Sequence, residues 1–149
     1  MNFEAKMLKF NEISLGNEAE FKILVSEELI KNFANFSGDY NPLHMEEDYA
    51  KKTQFKGRII HGMAIACFFS QLVGMYLPGK HCLYLSQTIN FKKPIKIGEE
   101  VIIKGEVIDK VDSFKMLKIK TQALNKNGNV LIDGEAKVLV LEENNEIKR

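Results

Sequence analysis

An almost unbroken apolar run at residues 59–77 constrains the fold of this 149-residue chain more than any other feature. Only His61, Ser70 and Gln71 interrupt it. A helix that is apolar on nearly every face must be enclosed by other elements, because it cannot lie on a surface. The polar interruptions and the modest length favour a core helix over a membrane span. We therefore predict a long central helix that begins near His61 or Gly62.

A turn-rich loop precedes this run and carries both an acid and a base. It reads Phe-Ser-Gly-Asp-Tyr-Asn-Pro-Leu-His from residue 36, which places Asp39 and His44 five positions apart. Gly38 permits a positive φ, and the residue before Pro42 is pushed out of the α region, so a preceding helix ends here. A carboxylate and an imidazole beside an enclosed helix are candidates for proton-transfer chemistry.

The rest of the pattern predicts helices first and strands afterwards. Ser26 is a typical N-cap, and the two glutamates after it suit the first turn of a helix that extends to about residue 36. Asn127-Gly128 is a strong hairpin signal. The other expected elements are loose or edge structure at 1–20, a strand at 21–25, an ordered loop at 37–46, a short helix at 46–53, strands at 81–91, 100–111, 114–125 and 130–142, and a polar tail from 143. This order predicts an α+β fold in which a curved antiparallel sheet wraps the central helix.

Composition and charge are those of an ordinary globular protein, and the length favours one domain over residues 1–149. The 21 basic residues nearly balance the 20 acidic ones, and a net charge of +1 argues against nucleic acid as the main partner. Cys67 and Cys82 lack a close paired spacing. The first residues include an acid instead of a basic region and an apolar run. We therefore expect no secretory signal, two free thiols and a cytoplasmic location.

A set of motifs between about residues 15 and 140 carries a resemblance to a known family. They are Ser37-Gly38-Asp39-Tyr40-Asn41-Pro42-Leu43-His44, Ile60-His61-Gly62-Met63, Ser70, Leu77-Pro78-Gly79-Lys80 and Phe91-Lys92-Lys93-Pro94. With these residues the chain resembles the MaoC-like, or (R)-specific enoyl-CoA hydratase, group of hot dog fold proteins.

The resemblance implies specific roles and an assembly. Asp39 and His44 would be the catalytic pair, Gly62 would offer its backbone N–H to the thioester oxygen, and Ser70 would be a supporting hydroxyl. Proteins of this group act as homodimers whose sheets join edge to edge, with an acyl-CoA thioester in a tunnel near the interface. No metal or organic cofactor is expected, since coenzyme A is part of the substrate.

The residues themselves suit the hydration of a trans-2-enoyl thioester. This reaction needs a base that activates water at C3, a proton donor at C2, and stabilisation of the negative charge on the thioester oxygen. We expect Asp39 to draw the proton from water and His44 to orient the water and pass the proton towards C2. The reverse division stays open, because two such groups titrate as a coupled unit. Gly62 suits the third task, since a helix start leaves its N–H groups unpaired.

Other residues are weaker candidates. Asn41 either fixes the loop or holds the water, with the structural role favoured. Val73 and the nearby Leu72 are expected to line the acyl pocket. Met63 follows Gly62 in the motif and is a candidate substrate contact, although methionine is core filler by default. The basic residues placed where CoA phosphates would pass are Lys51, Lys52, Lys56, Arg58, Lys92 and Lys93. His61 is expected only to cap the central helix.

Three alternatives remain at this point. The same site could dehydrate a 3-hydroxyacyl thioester carried by a carrier protein, or act on a branched or carboxylated CoA ester. A non-catalytic acyl-CoA-binding module would keep the fold without the reaction. A thioesterase on the same fold is less favoured and would release free thiol.

Overall fold

The computed structural model describes residues 4–141, and within that range it contains a six-stranded sheet packed against a central helical segment. The strands are β1 (Glu18–Leu24), β2 (Cys82–Gln87), β3 (Asn90–Phe91), β4 (Glu100–Val111), β5 (Met116–Asn125) and β6 (Val130–Val140). The bounds predicted for β4 match the structure. The predicted tail from residue 143, and the last residue of the strand predicted at 130–142, lie outside the described residues.

The sheet order is β1-β4-β5-β6-β2, with β3 also paired to β6, and every pairing is antiparallel. The predicted hairpin joins β5 to β6. Gly128 has a φ of 79° in this turn, and the Asn125 side chain accepts the N–H groups of Asn127 and Asn129. The antiparallel α+β prediction is confirmed.

The strand predicted at 81–91 is divided into β2 and β3 by a close crossing of Thr88 over Gly134. A Cβ on Gly134 would lie 1.8 Å from the Thr88 carbonyl oxygen, so only glycine allows this approach. The Thr88 N–H donates to the Glu135 carbonyl at 2.9 Å, and the Thr88 Oγ accepts the Glu135 N–H at 2.9 Å. Pairing then resumes at Asn90.

Helix α1 (Glu27–Ser37) begins and ends as its sequence predicts. The Ser26 Oγ accepts the Leu29 N–H at 3.1 Å, and Gly38 follows the last turn with a φ of 77°. The loop predicted at 37–46 differs from the structure because it contains a short helix, α2 (Pro42–Met45). The fixed φ of proline suits the first position of a helix. Helix α3 (Glu47–Ala50) is shorter than the helix predicted at 46–53.

The central helix (residues 62–76) is not the uniform α-helix that was predicted. It consists of α4 (Gly62–Ala66), α5 (Phe68–Gln71) and a π-helical turn at Leu72–Tyr76. Cys67 keeps helical angles (φ −56°, ψ −27°), so the three segments form one continuous helix in which the spacing of the backbone hydrogen bonds changes. In the last turn, the Leu77 N–H donates to the Leu72 carbonyl five residues back.

The described part of the chain has two buried hydrophobic clusters along the central helix. One surrounds the first half of the central helix, and the other surrounds its end and includes Phe10 and Ile13. Loose or edge structure was predicted for residues 1–20, and residues 18–20 do lie in the edge strand β1, but Phe10 is 2% exposed and Ile13 is 1% exposed. Lys110 Nζ donates to both of their carbonyls, at 2.8 and 2.6 Å, and lies 4.3 Å from the centroid of the Phe10 ring. The N-terminal segment is therefore part of the core.

Cys67 and Cys82 are both free thiols, as predicted. Between residues 4 and 141, no helix is long and apolar enough to cross a membrane.

Candidate active site

An open cavity of about 590 Å³ lies at the start of the central helix. Its walls come from the end of α1, the Asp39 turn, α2, residues 55–63 and the segment from β3 to Ile95. The lining residues include Phe33, Asp39, His44, Phe55, His61, Gly62, Met63, Phe91, Lys92, Lys93 and Pro94. The cavity is mostly apolar, with Asp39, His44 and His61 as its titratable groups apart from the two lysines.

Asp39 is placed in the cavity by the turn that ends α1. Its Oδ1 accepts the Asn41 N–H at 3.1 Å, and its own N–H donates to the Ser37 Oγ at 3.2 Å. These bonds are typical of aspartate in a turn. The Asp39 side chain is half exposed, so the carboxylate remains open to the cavity.

His44 projects from α2, which Asn41 caps by accepting the Leu43 N–H at 2.9 Å. The His44 Nδ1 lies 2.8 Å from the Ile59 carbonyl oxygen. A carbonyl can only accept a hydrogen bond, so Nδ1 carries a proton. The other ring nitrogen, Nε2, is therefore the atom through which His44 can accept or donate a proton in chemistry.

His61 lies directly behind these two residues and is only 3% exposed. Its Nε2 is 2.9 Å from the Asp39 main-chain carbonyl oxygen, and its ring centroid is 3.9 Å from that of His44. The prediction that His61 caps the central helix is wrong for the side chain, which makes no capping hydrogen bond, although the residue does occupy the N-cap position. Burial lowers the pKa of His61, because desolvation disfavours the charged ring.

Gly62 is the first residue of α4, and its N–H donates to no acceptor among residues 4–141. The ring of Phe91 packs directly on the Gly62 Cα. A Cβ at this position would lie 2.6 Å from both Cδ1 and Cε1 of Phe91. The absence of a side chain therefore allows β3 to pack against the helix start, and the Gly62 N–H is unpaired because it belongs to the first residue of the helix.

Asp39, His44 and His61 each offer one ligating atom within 4.8 Å of the other two. Two imidazoles and a carboxylate are a donor set that transition metals accept. The contact with the Asp39 carbonyl requires a proton on His61 Nε2, which leaves Nδ1 as the nitrogen of His61 that could ligate a metal. The hydrogen bonds from His61 and His44 to main-chain carbonyls equally allow the three residues to act as an acid–base group.

The other predicted site residues divide into two groups. Met63 and Lys92 line the cavity with Gly62, and Lys92 also lies 3.6 Å from the Asp133 carboxylate. Asn41 is not part of the cavity wall, and its side chain caps α2, the role that the sequence favoured.

Ser70 and Val73 lie apart from the cavity. Ser70 borders a separate groove between α1 and the central helix, together with Cys67 and Gly74. Val73 is fully buried in the second core cluster, beside Leu77. The structure thus does not bring either side chain to Asp39.

Arg58 was predicted to lie where CoA phosphates pass, but its guanidinium is engaged elsewhere. It donates two hydrogen bonds to the Glu27 carboxylate, and its Nε lies 3.3 Å from Glu47. The pKa of Arg58 is raised, mainly by the hydrogen bond to Glu27. Arg58 therefore ties α1 to α3.

An antiparallel sheet around a central helix, with an acid–base cluster and a free amide at the helix start, defines a hot dog fold with a candidate site for thioester chemistry. Comparisons with known proteins agree with this class. The family model described as "MaoC like domain" matches residues 10–128. The chain belongs to the MaoC-like dehydratase family.

Individual relatives cover most of the chain. It is 40% identical over 131 residues to the (R)-specific enoyl-CoA hydratase of Rhodospirillum rubrum, covering 88% of this chain and 90% of that protein. It is 34% identical over 137 residues to the 3-hydroxybutyryl-CoA dehydratase of Methylorubrum extorquens, covering 92% of this chain and 87% of that protein. The solved structure of the R-hydratase PhaJ1 from Pseudomonas aeruginosa superposes with a TM-score of 0.88 at 34% identity, covering 93% of this chain and 89% of that one.

Proposed function

We propose that this protein is a hydro-lyase that reversibly adds water to a trans-2-enoyl-CoA and forms the (R)-3-hydroxyacyl-CoA. One observation carries the proposal. Asp39, His44 and the free Gly62 N–H line one cavity, and the side-chain groups of the first two approach within 4.8 Å. This arrangement offers a base, a proton carrier and an oxyanion donor to one substrate.

In the forward reaction, the water oxygen bonds to C3 while the Asp39 carboxylate takes one of its protons. The electron pair of the C2–C3 double bond moves towards the thioester oxygen, where the Gly62 N–H and the positive end of the helix stabilise the charge. Asp39 then passes this proton to Nε2 of His44, which delivers it to C2, so that both residues end in the states in which they began. Nε2 is the nitrogen that carries the proton, since Nδ1 is held by Ile59. Because Asp39 and His44 meet the substrate from one side of the cavity, we expect syn addition.

The thioester approaches past two lysines. Lys92 and Lys93 line the cavity mouth beside Pro94, and ammonium groups there suit the phosphates of coenzyme A. We propose no metal or organic cofactor for the reaction. A single MaoC-like domain in the cytoplasm is the setting that this proposal assumes.

We further propose a homodimer that forms through β2. This strand is one edge of the sheet in the described part of the chain, and it exposes Leu83 and Leu85. The opposite edge, β1, exposes mainly charged side chains, which discourage pairing. Leu85→Lys should therefore lower the measured mass in solution to that of a monomer, as read by light scattering after gel filtration. An unchanged mass would contradict this interface.

The function is tested by following the loss of the enoyl thioester absorbance with trans-2-enoyl-CoA substrates of increasing chain length. The product is then assigned with an (R)-specific 3-hydroxyacyl-CoA dehydrogenase. We expect hydration to the (R) product. Tight binding without loss of absorbance would indicate an acyl-CoA-binding module, and release of free thiol would indicate a thioesterase. Faster turnover on carrier-protein, branched or carboxylated thioesters would assign the same site to a different substrate.

A further inference from the structure

His61 is a buried side chain that contacts both Asp39 and His44. Its Nε2 reaches the Asp39 carbonyl oxygen at 2.9 Å and lies 3.8 Å from the Asp39 Oδ2. Its ring lies against His44 on one side and 4.9 Å from the Phe33 ring centroid on another. It also precedes Gly62 in the chain. The His61 side chain thus contacts both Asp39 and His44, and its backbone is bonded to the Gly62 N–H group that would bind the thioester oxygen.

The contact with Asp39 fixes the tautomer of His61. A bare Nε2 would place two lone pairs against each other at 2.9 Å, so Nε2 must carry the proton and donate. The Nδ1 atom is buried and has no partner among residues 4–141. A second proton on Nδ1 would create a buried charge with no acceptor beside it among residues 4–141. His61 is therefore held as the neutral ring with its proton on Nε2.

The His61 and His44 rings lie in direct contact, tilted by 34° with their centroids 3.9 Å apart. Because burial disfavours a charge on His61, its neutral ring provides a fixed surface against which His44 packs.

The hydrogen bond to Asp39 acts on the main chain. The Asp39 N–H is held by Ser37 and its carboxylate by the Asn41 N–H, so the turn is fixed locally by its own residues. His61, which lies 22 residues further along the chain, ties this turn to the start of the central helix through its hydrogen bond to the Asp39 carbonyl. Without that bond, the turn and the helix start could shift relative to each other.

We propose that His61 is a positioning residue. Its Nε2–H holds the Asp39 turn in place, and its ring keeps His44 in a fixed position relative to the Gly62 N–H. The inference rests on the proposed function and adds a residue to its machinery.

A matched pair of variants separates the hydrogen bond from simple filling of space. His61→Gln can present an N–H close to the position of Nε2, whereas His61→Met has a similar length and no N–H. We expect His61→Met to lower kcat for enoyl-CoA hydration by about 100-fold with little change in KM, since misplacement of catalytic groups by about 1 Å has such an effect. His61→Gln should recover about tenfold of that loss.

His81→Met provides the control, because His81 lies outside the cavity, and it should keep the kcat of the wild type. Thermal unfolding of each variant reports whether it folds. Equal kcat in His61→Gln and His61→Met, or a loss confined to KM, would overturn the proposal.

A second measurement needs no substrate. The chain has three histidines, so 15N NMR of labelled protein can assign each imidazole tautomer. We expect His61 to show a protonated, slowly exchanging Nε2 and a bare Nδ1 at neutral pH. A bare or rapidly exchanging Nε2 would overturn the inference even if the enzyme is active. If the wild type hydrates no enoyl-CoA, the proposed function fails, and the NMR result still decides whether His61 holds the turn.

Discussion

Gly62 and Phe91 provide a direct test of the helix start, because their contact depends on the missing side chain. An alanine Cβ at position 62 would lie 2.6 Å from two carbon atoms of Phe91. Carbon atoms pack at about 3.5–4.0 Å, so either the ring or the helix start must move by about 1 Å. Gly62→Ala keeps the N–H group, so its effect reports displacement and not loss of the donor.

We expect Gly62→Ala to lower kcat by about 100-fold, because displacements of this size at a reacting centre have that effect. This corresponds to about 2.7 kcal/mol of transition-state stabilisation. Phe91→Ala removes the obstructing ring, so the double variant Gly62→Ala/Phe91→Ala should recover most of the loss. The double-mutant cycle formed by the wild type, the two single variants and the double variant should give a coupling energy of about 2 kcal/mol.

The assay is the initial rate of enoyl-CoA hydration over a range of substrate concentrations. Gly74→Ala is the control, because it lies in the same central helix and a Cβ there meets nothing within 4 Å. We expect it to keep normal turnover. If the double variant is as slow as Gly62→Ala alone, or if Gly62→Ala retains normal turnover, the steric reasoning is refuted.

Three further results concern stability. Phe10→Ala should lower the free energy of unfolding by about 3–5 kcal/mol in urea titrations, because Phe10 is fully buried; a change below 1 kcal/mol would contradict a core role. Ser26→Ala removes the N-cap of α1 and should cost about 1 kcal/mol by the same method, whereas no change would show that the cap is unimportant. The pKa of His61 is lowered on folding, so below about pH 6.5 the unfolded chain binds a proton that the folded chain does not. Stability should therefore fall as the pH drops from about 7.5 to 5.5, and His61→Met should make this dependence shallower; an identical slope in both proteins would contradict it.

Local patterns in the sequence were sufficient to predict several elements. Ser26 and Gly38 bound α1, and Asn127-Gly128 forms the hairpin turn, because capping and turn preferences act within a few residues. The loop that carries the candidate acid and base was also predicted from local sequence, since Asp39 and His44 lie on one short segment.

Contacts between distant segments could not be read from such patterns. His61 meets Asp39 across 22 positions and was interpreted only as a cap. Phe10 is buried in a core cluster formed by distant segments and accepts a hydrogen bond from Lys110, which is 100 residues away. An isolated histidine inside an otherwise apolar run was the signal that could have indicated a buried polar contact.

The placement of Ser70 and Val73 depends on the course of the central helix. Eight residues separate Ser70 from Gly62, which in a regular helix is about 12 Å along the axis and a rotation of about 80°. The sequence gives no indication of the π-helical turn at Leu72–Tyr76, where the spacing of the backbone hydrogen bonds changes. Val73, eleven residues beyond Gly62, packs in the second core cluster instead of at the cavity.

The central claim is that the Asp39 carboxylate acts on water beside the Gly62 amide. The most direct test compares the turnover of crotonyl-CoA by Asp39→Asn with that of the wild type. Asparagine preserves the shape of the side chain and an oxygen for the Asn41 N–H, but it cannot take a proton. We expect kcat to fall by about 10²–10⁴-fold while the fold and acyl-CoA binding are retained. Turnover close to that of the wild type would contradict the account.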